Sequence, residues 1–455
     1  MPLVDLCGRG QIMKKIISGI LACTILGCWA ASTRMPLNSH GSYADGFNEH
    51  DPDAYTVTDG GITFEKNWDM MVVTDIDNSL VECNIPSSVD DLPVRTLFFA
   101  LDGCSSLRSL YIPGTVNEII GTFNDCTSLE TLKIGEGAES FATSFHHIYS
   151  LRSVTLPSTI REIPYTQFTG CSNLSNVNMS DNVEKIGVSA FSNCTSLTTV
   201  DLPSNLKSLG EYSFAYCPAL TSVTIPDVIT SIPKQAFFKD ESLKTLKNGK
   251  NIVTIENSAF WETGLETLVL PERVRTIGDA AFANCKDLTT LKLNDRLAVI
   301  GESAFNGCEK LERAVLPESV TSVGECAFWL CDELKEIAVL NPKCSLNKFT
   351  RRGNHTITMY GYDGSTAEEY AAAYDYIVFK SLGPMPKKPG DVNDDFSVDS
   401  PDAAMILKHY AQMQGSGKAY LSDEQKAVAD YNADGAIDSS DAAMILKTYA
   451  TNQAG

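Results

Sequence analysis

Apolar residues recur along the middle of the chain with a period of 22 or 23 residues. In the clearest copy, residues 191–203, apolar Val200 and Leu202 alternate with polar Thr199 and Asp201. Alternation of this kind is typical of a short β-strand with one buried face. The proline that follows has no N–H for a strand ladder and is expected to end the strand. Eleven copies share one anchoring position, occupied by Leu101, Phe123, Phe145, Phe168, Phe191, Phe214, Phe237, Phe260, Phe282, Phe305 and Phe328.

A fixed period in this range predicts a leucine-rich-repeat solenoid with a β-strand and a turn in each coil. One coil cannot bury its own apolar face, whereas eleven stacked coils share a continuous core. The outward strand positions carry mostly hydroxyl and amide side chains. We therefore expect a long polar concave face, the surface on which such solenoids bind extended ligands.

Eight cysteines share another repeat position. They could form a ladder of disulfides or a stack of buried thiols that act as small apolar groups. Adjacent coils lie about 4.8 Å apart, but stacked side chains point the same way and suit a bridge poorly. The position also holds Ile148, Asp240 and Thr263, so we favour packing. The eight are Cys104, Cys126, Cys171, Cys194, Cys217, Cys285, Cys308 and Cys331.

Two acidic stretches near the C-terminus follow one pattern. Each places side-chain oxygens at positions 1, 3, 5, 9 and 12, with a backbone carbonyl for position 7, as an EF-hand-type calcium loop requires. The first predicted ligand set is Asp391, Asn393, Asp395, Ser397, Asp399 and Asp402. The second is Asp430, Asn432, Asp434, Ala436, Asp438 and Asp441. The pattern predicts two Ca²⁺ ions.

The two loops differ at one position that affects affinity. Both run into the same heptapeptide, Asp-Ala-Ala-Met-Ile-Leu-Lys, at 402–408 and 441–447, which predicts a helix after each loop. Position 6 is Phe396 in the first loop and Gly435 in the second. That position needs a sharp turn that glycine forms easily. We therefore expect the first loop to bind calcium more weakly.

The duplicated loop–helix unit at 390–453 closely resembles a dockerin. The prolines at 384, 386 and 389 agree with a family that lacks a helix before the first loop. The resemblance implies calcium-dependent attachment to a cohesin module of a scaffoldin in a cellulosome-like complex. It also implies that loop positions 10 and 11 and helix positions near 17 and 18 face the cohesin. These positions are Ser400, Pro401, Leu407, Lys408, Ser439, Ser440, Leu446 and Lys447.

Near-identity of the two halves would let the dockerin bind its cohesin in two orientations related by a half-turn. Pro401 stands against Ser440, and His409 against Thr448. Proline cannot donate a backbone N–H and lacks the hydroxyl that serine offers. We therefore expect two unequal orientations, with the second half preferred.

The repeats resemble the BspA-like (bacterial surface antigen) subclass of leucine-rich repeats, over residues 53–382. Residues 54–63 look like the opening hairpin of that family, and residues 357–371 like its capping strand and helix. The Pro- and Lys-rich stretch 383–389 is expected to be a short, semi-extended linker.

The N-terminal residues 1–31 are typical of an export signal, with Met13 as the expected start. Lys14 and Lys15 precede an apolar stretch, residues 16–26, that is too short to span a bilayer. An alternative is a lipobox that leaves a lipid anchor on Cys28. Residues 32–52 are polar and are expected to form a flexible spacer.

Composition excludes some classes of function. The net charge of −21 argues against nucleic acids and anionic membranes as partners. No other segment is apolar enough to form a transmembrane helix, and no nucleophile elbow, zinc-protease motif or phosphate loop is present. His146 and His147 are expected in a surface turn, and the acids that recur at the coil turns are expected to be solvated.

The sequence therefore predicts a secreted, non-catalytic binding or adhesion protein at the cell surface. Its repeats would bind a protein or glycan ligand, a protein being favoured because no aromatic platform for sugars is evident. The alternative is a plant-polysaccharide-degrading, glycoside-hydrolase-type enzyme, since many proteins with dockerins are enzymes. Signal, spacer, repeats, linker and dockerin leave no room for a hydrolase domain.

Overall fold

The computed structural model describes residues 53–123, 125–350, 355–385, 388–393 and 398–454. The chain divides into two compact units, one ending at Ile160 and the other beginning at Arg161. The predicted export signal, the spacer, Met13 and Cys28 lie outside the described residues.

The first unit begins with antiparallel strands. Strand β1 (Thr56–Asp59) pairs with β2 (Ile62–Asn67), which pairs in turn with β3 (Met70–Ile76). Gly60 and Gly61 make the turn between β1 and β2, with φ angles of 57° and 81° that glycine adopts without strain. The opening hairpin that the family resemblance implied is present.

Parallel pairing follows within the first unit. Strand β6 (Leu92–Phe98) lies parallel to β3 and to β8 (Glu118–Ile120), and antiparallel to β5 (Ser88–Val89). A second sheet contains β4 (Glu82–Asn84), β7 (Ser109–Ile112), β9 (Thr131–Ile134) and β10 (Ser153–Thr155). These four strands lie parallel in chain order.

Most coils of the second unit contribute two short strands, in two sets. The first set is β12 (Asn176–Asn178), β14 (Thr199–Asp201), β16 (Ser222–Ile225), β18 (Thr245–Asn248), β20 (Thr267–Val269), β22 (Thr290–Lys292), β24 (Arg313–Leu316) and β26 (Glu336–Val339). The second set is β11 (Glu162–Ile163), β13 (Lys185–Ile186), β15 (Ser208–Leu209), β17 (Ser231–Ile232), β19 (Thr254–Ile255), β21 (Thr276–Ile277), β23 (Val299–Ile300), β25 (Ser322–Val323) and β27 (Ser345–Leu346).

Pairing in both sets is parallel and joins residues one repeat apart. Thr199 pairs with Ser222, and Ile255 pairs with Ile277. The repeat region is thus a β-solenoid of about 13 turns of about 23 residues, which confirms the predicted fold class. The second strand of each coil is an addition to the predicted repeat, because two residues are too few to show a periodicity.

The repeats end in a strand–helix–strand cap. Strand β28 (Ile357–Asp363) leads into helix α1 (Thr366–Ala373) and then into β29 (Ile377–Pro384), which lies parallel to β28. The capping strand and helix implied by the resemblance are both present. Strand β29 reaches Pro384, so it includes the first two residues of the stretch 383–389 that was predicted as a linker.

A column of phenylalanine rings fills the core of the second unit. Phe349 extends this column beyond the predicted anchors, meeting Phe328 edge-on at 6.3 Å. Each buried ring contributes roughly 1.5–3 kcal/mol of transfer free energy. Eight anchors stack with centroids 5.2–5.8 Å apart and planes within 16° of parallel, namely Phe168, Phe191, Phe214, Phe237, Phe260, Phe282, Phe305 and Phe328.

The eight cysteines at the shared repeat position are buried free thiols, which confirms the packing interpretation. In the second unit the thiols also donate hydrogen bonds. Cys194 Sγ lies 3.3 Å from the carbonyl oxygen of Phe168, the anchoring residue of the preceding coil. The same contact, at 3.2–3.4 Å, is made by Cys217, Cys285, Cys308 and Cys331. In the second unit this position therefore suits a small side chain that can donate a hydrogen bond.

Asp240 occupies this cysteine position in one coil and is fully buried. Its Oδ1 accepts a hydrogen bond from the N–H of Cys217 at 2.8 Å, whereas its Oδ2 has no hydrogen-bond partner. Burial raises the pKa of Asp240 well above its ordinary value. The carboxyl is therefore stabilised as the neutral acid, whose O–H is a donor like the thiols of neighbouring coils.

We expect Asp240→Asn to stabilise the solenoid at neutral pH by roughly 1–3 kcal/mol, because the amide still accepts from the N–H of Cys217 and, unlike the carboxyl, cannot ionise in the core. Folding raises the pKa of Asp240, so its stabilising contribution is present at acidic pH and is lost as pH rises through the folded-state pKa. The gain in free energy of unfolding from Asp240→Asn should therefore shrink as pH falls towards about 4, near the ordinary pKa of aspartate.

Thermal unfolding of the full chain across this pH range measures the effect. Asp201→Asn is the matched control, because Asp201 is exposed on β14 and its substitution should leave the pH profile unchanged. An advantage of Asp240→Asn that does not vary with pH would contradict the prediction.

Candidate calcium loops and docking face

The C-terminal module contains three helices within the described residues, α2 (Ser400–Ser416), α3 (Asp423–Ala429) and α4 (Ser439–Ala454). Helices α2 and α4 begin at position 10 of the two predicted calcium loops, so the helix predicted after each loop is present. Helix α3 was not predicted. Its sequence signal is the capping box of Ser422 and Gln425, whose side chains bond each other's backbone N–H.

The core of this module reflects its duplication. Ala403 and Ile406 on α2 are buried, as are the residues 39 positions later on α4, Ala442 and Ile445. The other buried members are Val392, Leu421, Val428 and Ala429. Equivalent positions of the two halves therefore occupy equivalent environments.

The carboxylates at loop position 12, Asp402 and Asp441, are fully buried and close their loops. Asp402 Oδ1 accepts from the N–H of Asn393 at 3.1 Å, and its Oδ2 accepts from the N–H of Asp399 at 3.0 Å. Asp441 accepts from the same two positions of the second loop, again at 3.1 and 3.0 Å. One carboxylate thus ties positions 3 and 9 of its loop together.

Position 1 of the second loop organises the following turn. Asp430 accepts from the N–H groups of Asp434 and Gly435 at 3.0 and 2.9 Å. Asp434 accepts from the N–H of Ala436 at 2.9 Å. Ala433 and Gly435 have positive φ angles, 57° and 87°, which turn the backbone around these acids. Gly435 therefore serves the role predicted for position 6.

The remaining predicted ligands of the second loop are linked to its docking end. Asn432 Nδ2 donates to the hydroxyl of Ser440 at 2.8 Å. The backbone N–H of Ser440 donates to Asp438 Oδ1 at 2.7 Å, and Ser440 holds the pKa of Asp438 below its ordinary value. A predicted ligand and a predicted docking residue therefore share one hydrogen-bond network.

The oxygen donors of the predicted calcium loops are of the type that a hard cation prefers, although their carboxylates do not converge on one point among the described residues. Within the described chain, no three His, Cys, Asp or Glu side chains lie close enough to hold a metal ion. Asp395, Phe396 and Ser397 lie outside the described residues. The second loop nonetheless offers oxygen donors alone, and none of its acids forms an ion pair with Lys or Arg in the described structure. Fully buried Asp441 accepts two backbone N–H groups but has no cationic partner among the described residues, so a nearby cation would offset the cost of burying this carboxylate.

All eight predicted cohesin contacts are exposed on the surface. Leu407 on α2 and Leu446 on α4 are each 42% exposed, so the two helices present this side chain equally. Lys408 differs from its equivalent Lys447 because its ammonium lies 4.2 Å from the ring centroid of Tyr420. Tyr420, in the loop after α2, was not among the predicted site residues.

The repeats carry two further features near their surface. His146 and His147 are exposed, as expected of a surface turn. Phe238 stacks on half-buried Trp261 with centroids 4.6 Å apart, and half-buried Tyr216 packs edge-on against Phe238. This aromatic stack lies outside the strands, at positions where the sequence pattern gave no aromatic platform.

The repeats match the family model of the BspA type leucine rich repeat region, in six copies over residues 77–144, 95–220, 141–265 and 253–352. Together these matches span 77–352, more than half of the 455 residues. The chain belongs to the BspA-type leucine-rich-repeat proteins. Residues 389–449 match the dockerin type I domain, so this BspA-type protein carries a C-terminal dockerin.

Solved structures similar to this BspA-type protein include a leucine-rich repeat protein from Bacteroides ovatus ATCC 8483. It is 22% identical with a TM-score of 0.45, and the alignment covers 72% of this chain and all of that one. A leucine rich cell surface protein from Faecalibacterium prausnitzii A2-165 is 25% identical with a TM-score of 0.38, covering 71% of this chain and 98% of that one. No curated protein shows significant similarity.

Neither matched family brings a catalytic domain to the chain. Dockerin type I domains bind calcium, and a dockerin implies a cohesin partner. Among the helices that the structure describes, none combines the length and the apolar character needed to cross a bilayer.

Calcium should stabilise the dockerin by about 3 kcal/mol at one hundred times its Kd. We expect amide hydrogen exchange in α2 and α4 of the full chain to slow on calcium addition and to recover with chelator. Asp441→Asn should weaken this response, because a buried loop carboxylate is lost. Asp423→Asn, the same charge change outside the loops, should keep it. An equal calcium response in both variants would count against the assignment.

The second loop should bind calcium more tightly than the first, because Gly435 adopts a positive φ of 87° at position 6, a conformation that is unfavourable for phenylalanine, the residue at that position of the first loop. Phe396→Gly should bring the two dissociation constants closer together in calorimetric titration. An unchanged gap would show that position 6 does not set the difference.

Proposed function

We propose that this chain is a secreted, non-catalytic binding protein that docks through calcium onto a cohesin of a cellulosome-like, polysaccharide-degrading complex. Two Ca²⁺ ions are held by the twelve loop residues predicted above. The solenoid with its caps takes 53–384, the linker 385–389 and the dockerin 390–453. Residues 1–31 direct export to the cell exterior or surface, with a lipid anchor at Cys28 as the alternative to cleavage after Ala30 or Ala31.

The observation that carries the docking proposal is the matched exposure of Leu407 and Leu446. Each leucine is followed by a lysine and stands one residue after a buried isoleucine of the shared core. Each helix thus presents an apolar side chain beside a positive charge. Protein-binding surfaces combine an apolar centre with a polar rim, and each leucine with its neighbouring lysine has this composition.

The ligand of the repeats is expected on the outward face of the first strand set. Thr199, Ser222 and Thr245 lie side by side in register, each one repeat after the previous one. Neighbouring strands lie about 4.8 Å apart, so their hydroxyls form a regular column of donors and acceptors. Asp201 and Lys247 add exposed charges of both signs. This face suits an extended polar ligand, and we favour a protein over a glycan.

The two contact faces should bind a type I cohesin unequally. Leu446→Ala with Lys447→Ala should weaken binding roughly tenfold, about 1.4 kcal/mol, because the face with Ser439 and Ser440 is preferred. The same changes at Leu407 and Lys408 should cost less than about threefold, and the four changes together should abolish binding.

Calorimetry of the full chain in saturating calcium measures these losses. Lys292→Ala, which removes an exposed lysine of strand β22 outside the dockerin, is the control. Equal losses from the two halves would mean that Pro401 is neutral. Full binding by the fourfold variant would refute the assigned docking face.

A further inference from the structure

His409 follows Lys408 on α2 and is only 5% exposed. Its Nδ1 accepts hydrogen bonds from the backbone N–H groups of Tyr420 and Leu421, at 3.0 and 3.2 Å. A ring nitrogen accepts only while it carries no proton. These two bonds therefore require Nδ1 to be unprotonated, with the neutral ring carrying its hydrogen on Nε2.

The two residues held by His409 fix the loop between α2 and α3. Leu421 is buried in the dockerin core, and Ser422 after it caps α3. The ring of Tyr420 lies under the ammonium of Lys408 at 4.2 Å, within the range of a cation–π contact. His409 thus positions the aromatic ring against which Lys408 rests.

The second half of the dockerin lacks this arrangement. Thr448 stands in place of His409, and its hydroxyl lies 3.4 Å from the hydroxyl of Tyr431. Threonine does not titrate, and within the described residues no ring holds Lys447 as Tyr420 holds Lys408. Protonation of a ring nitrogen can therefore act directly on one docking face alone.

We propose that His409 is a pH-sensitive positioning residue for the docking face formed by Leu407 and Lys408. When Nδ1 is protonated, the N–H groups of Tyr420 and Leu421 lose their acceptor and Tyr420 no longer supports Lys408. Acidification then weakens the first docking face and leaves the second as the preferred one. The inference rests on the cohesin docking proposed above.

The charged surroundings of His409 agree with this direction. Burial lowers the pKa of His409 below its ordinary value, and the positive charge of Lys426 on α3 lowers it further. Lys426 is itself paired with Asp423 at 2.8 Å. Lys408 precedes His409 on the same helix, and the connecting loop carries Lys418 and Tyr420. The neutral ring therefore stabilises the loop above about pH 6.5, and this contribution is lost as pH falls through the lower folded-state pKa.

The test uses full-length chains in saturating calcium with a type I cohesin module as the probe. One variant, Leu446→Ala with Lys447→Ala, retains the first face. The other, Leu407→Ala with Lys408→Ala, retains the second. Between pH 7.5 and pH 5.0, the first-face variant should lose at least fivefold more affinity than the second-face variant. Both variants keep both calcium loops, so an effect of acid on calcium binding is common to them.

His409→Asn supplies the decisive comparison, because its side-chain oxygen can replace Nδ1 as an acceptor and does not titrate in this range. Added to the first-face variant, it should restore binding at pH 5.0, whereas His409→Leu should weaken binding at both pH values. Equal acid losses in the two face variants, unaltered by His409→Asn, would overturn the proposal.

Amide hydrogen exchange at Tyr420 and Leu421 separates this idea from the docking proposal, since it needs no cohesin. After correction for intrinsic exchange, protection should fall at pH 5.0 in the wild-type chain and persist in His409→Asn. Unchanged protection in the wild type would refute the role of His409 whatever the cohesin result. Loss of protection without cohesin binding at pH 7.5 would refute the docking proposal and, with it, the effect of His409 on a docking face.

Discussion

Each coil of the repeat region is completed by hydrogen bonds to the next coil, and the other features of the solenoid depend on this in-register stacking. The N–H of Phe191 donates to the carbonyl of Ser213 at 2.8 Å, and that of Phe214 donates to Ala236 at 3.0 Å. Because the step is always one repeat, a side chain meets the side chain at the same position of the neighbouring coil. The core is therefore a set of columns, and a residue suits its position if it can pack against copies of itself.

The same constraint arranges the surface. Glu184 lies between Arg161 and Lys207, 3.7 and 2.7 Å away, and Glu130 lies between Arg108 and Arg152. Exposed pairs of this kind contribute little energy individually. Alternation of sign along a column nevertheless avoids the like-charge contacts that stacking would otherwise force. The hydroxyl column proposed as the ligand face has the same origin, since outward residues of neighbouring strands are brought into line by backbone pairing.

The core could be predicted from the sequence because its signal repeats. Phenylalanines and strand residues recur at fixed spacing, and this recurrence predicted the fold class and the buried thiols, whereas the two caps were implied by the family resemblance. Backbone conformation could not be predicted in this way. Ser189, Gln235 and Ser258 share one coil position and all have φ near 55°. For residues other than glycine, this left-handed backbone conformation is unfavourable by about 1–2 kcal/mol. The hydrogen bonds between coils impose this conformation on the serine and glutamine residues at this position. The turn therefore contains no glycine by which it could be recognised in the sequence.

The dockerin shows the limit of arguing from repetition. Its proposed calcium ligands and its exposed leucines follow a spacing of 39 residues, and both were predicted from the duplicated loops and helices. His409, Tyr420 and helix α3 do not recur and had no such signal. They form, or contact, the segment that joins the two loop–helix units. The module has two such units but only one joining segment. A module built from two equal parts therefore cannot keep its two faces fully equivalent, because the connecting loop packs on the first helix at His409 and has no counterpart there on the second. The difference between the faces then depends on single residues outside the repeat, and these can change without affecting the calcium loops.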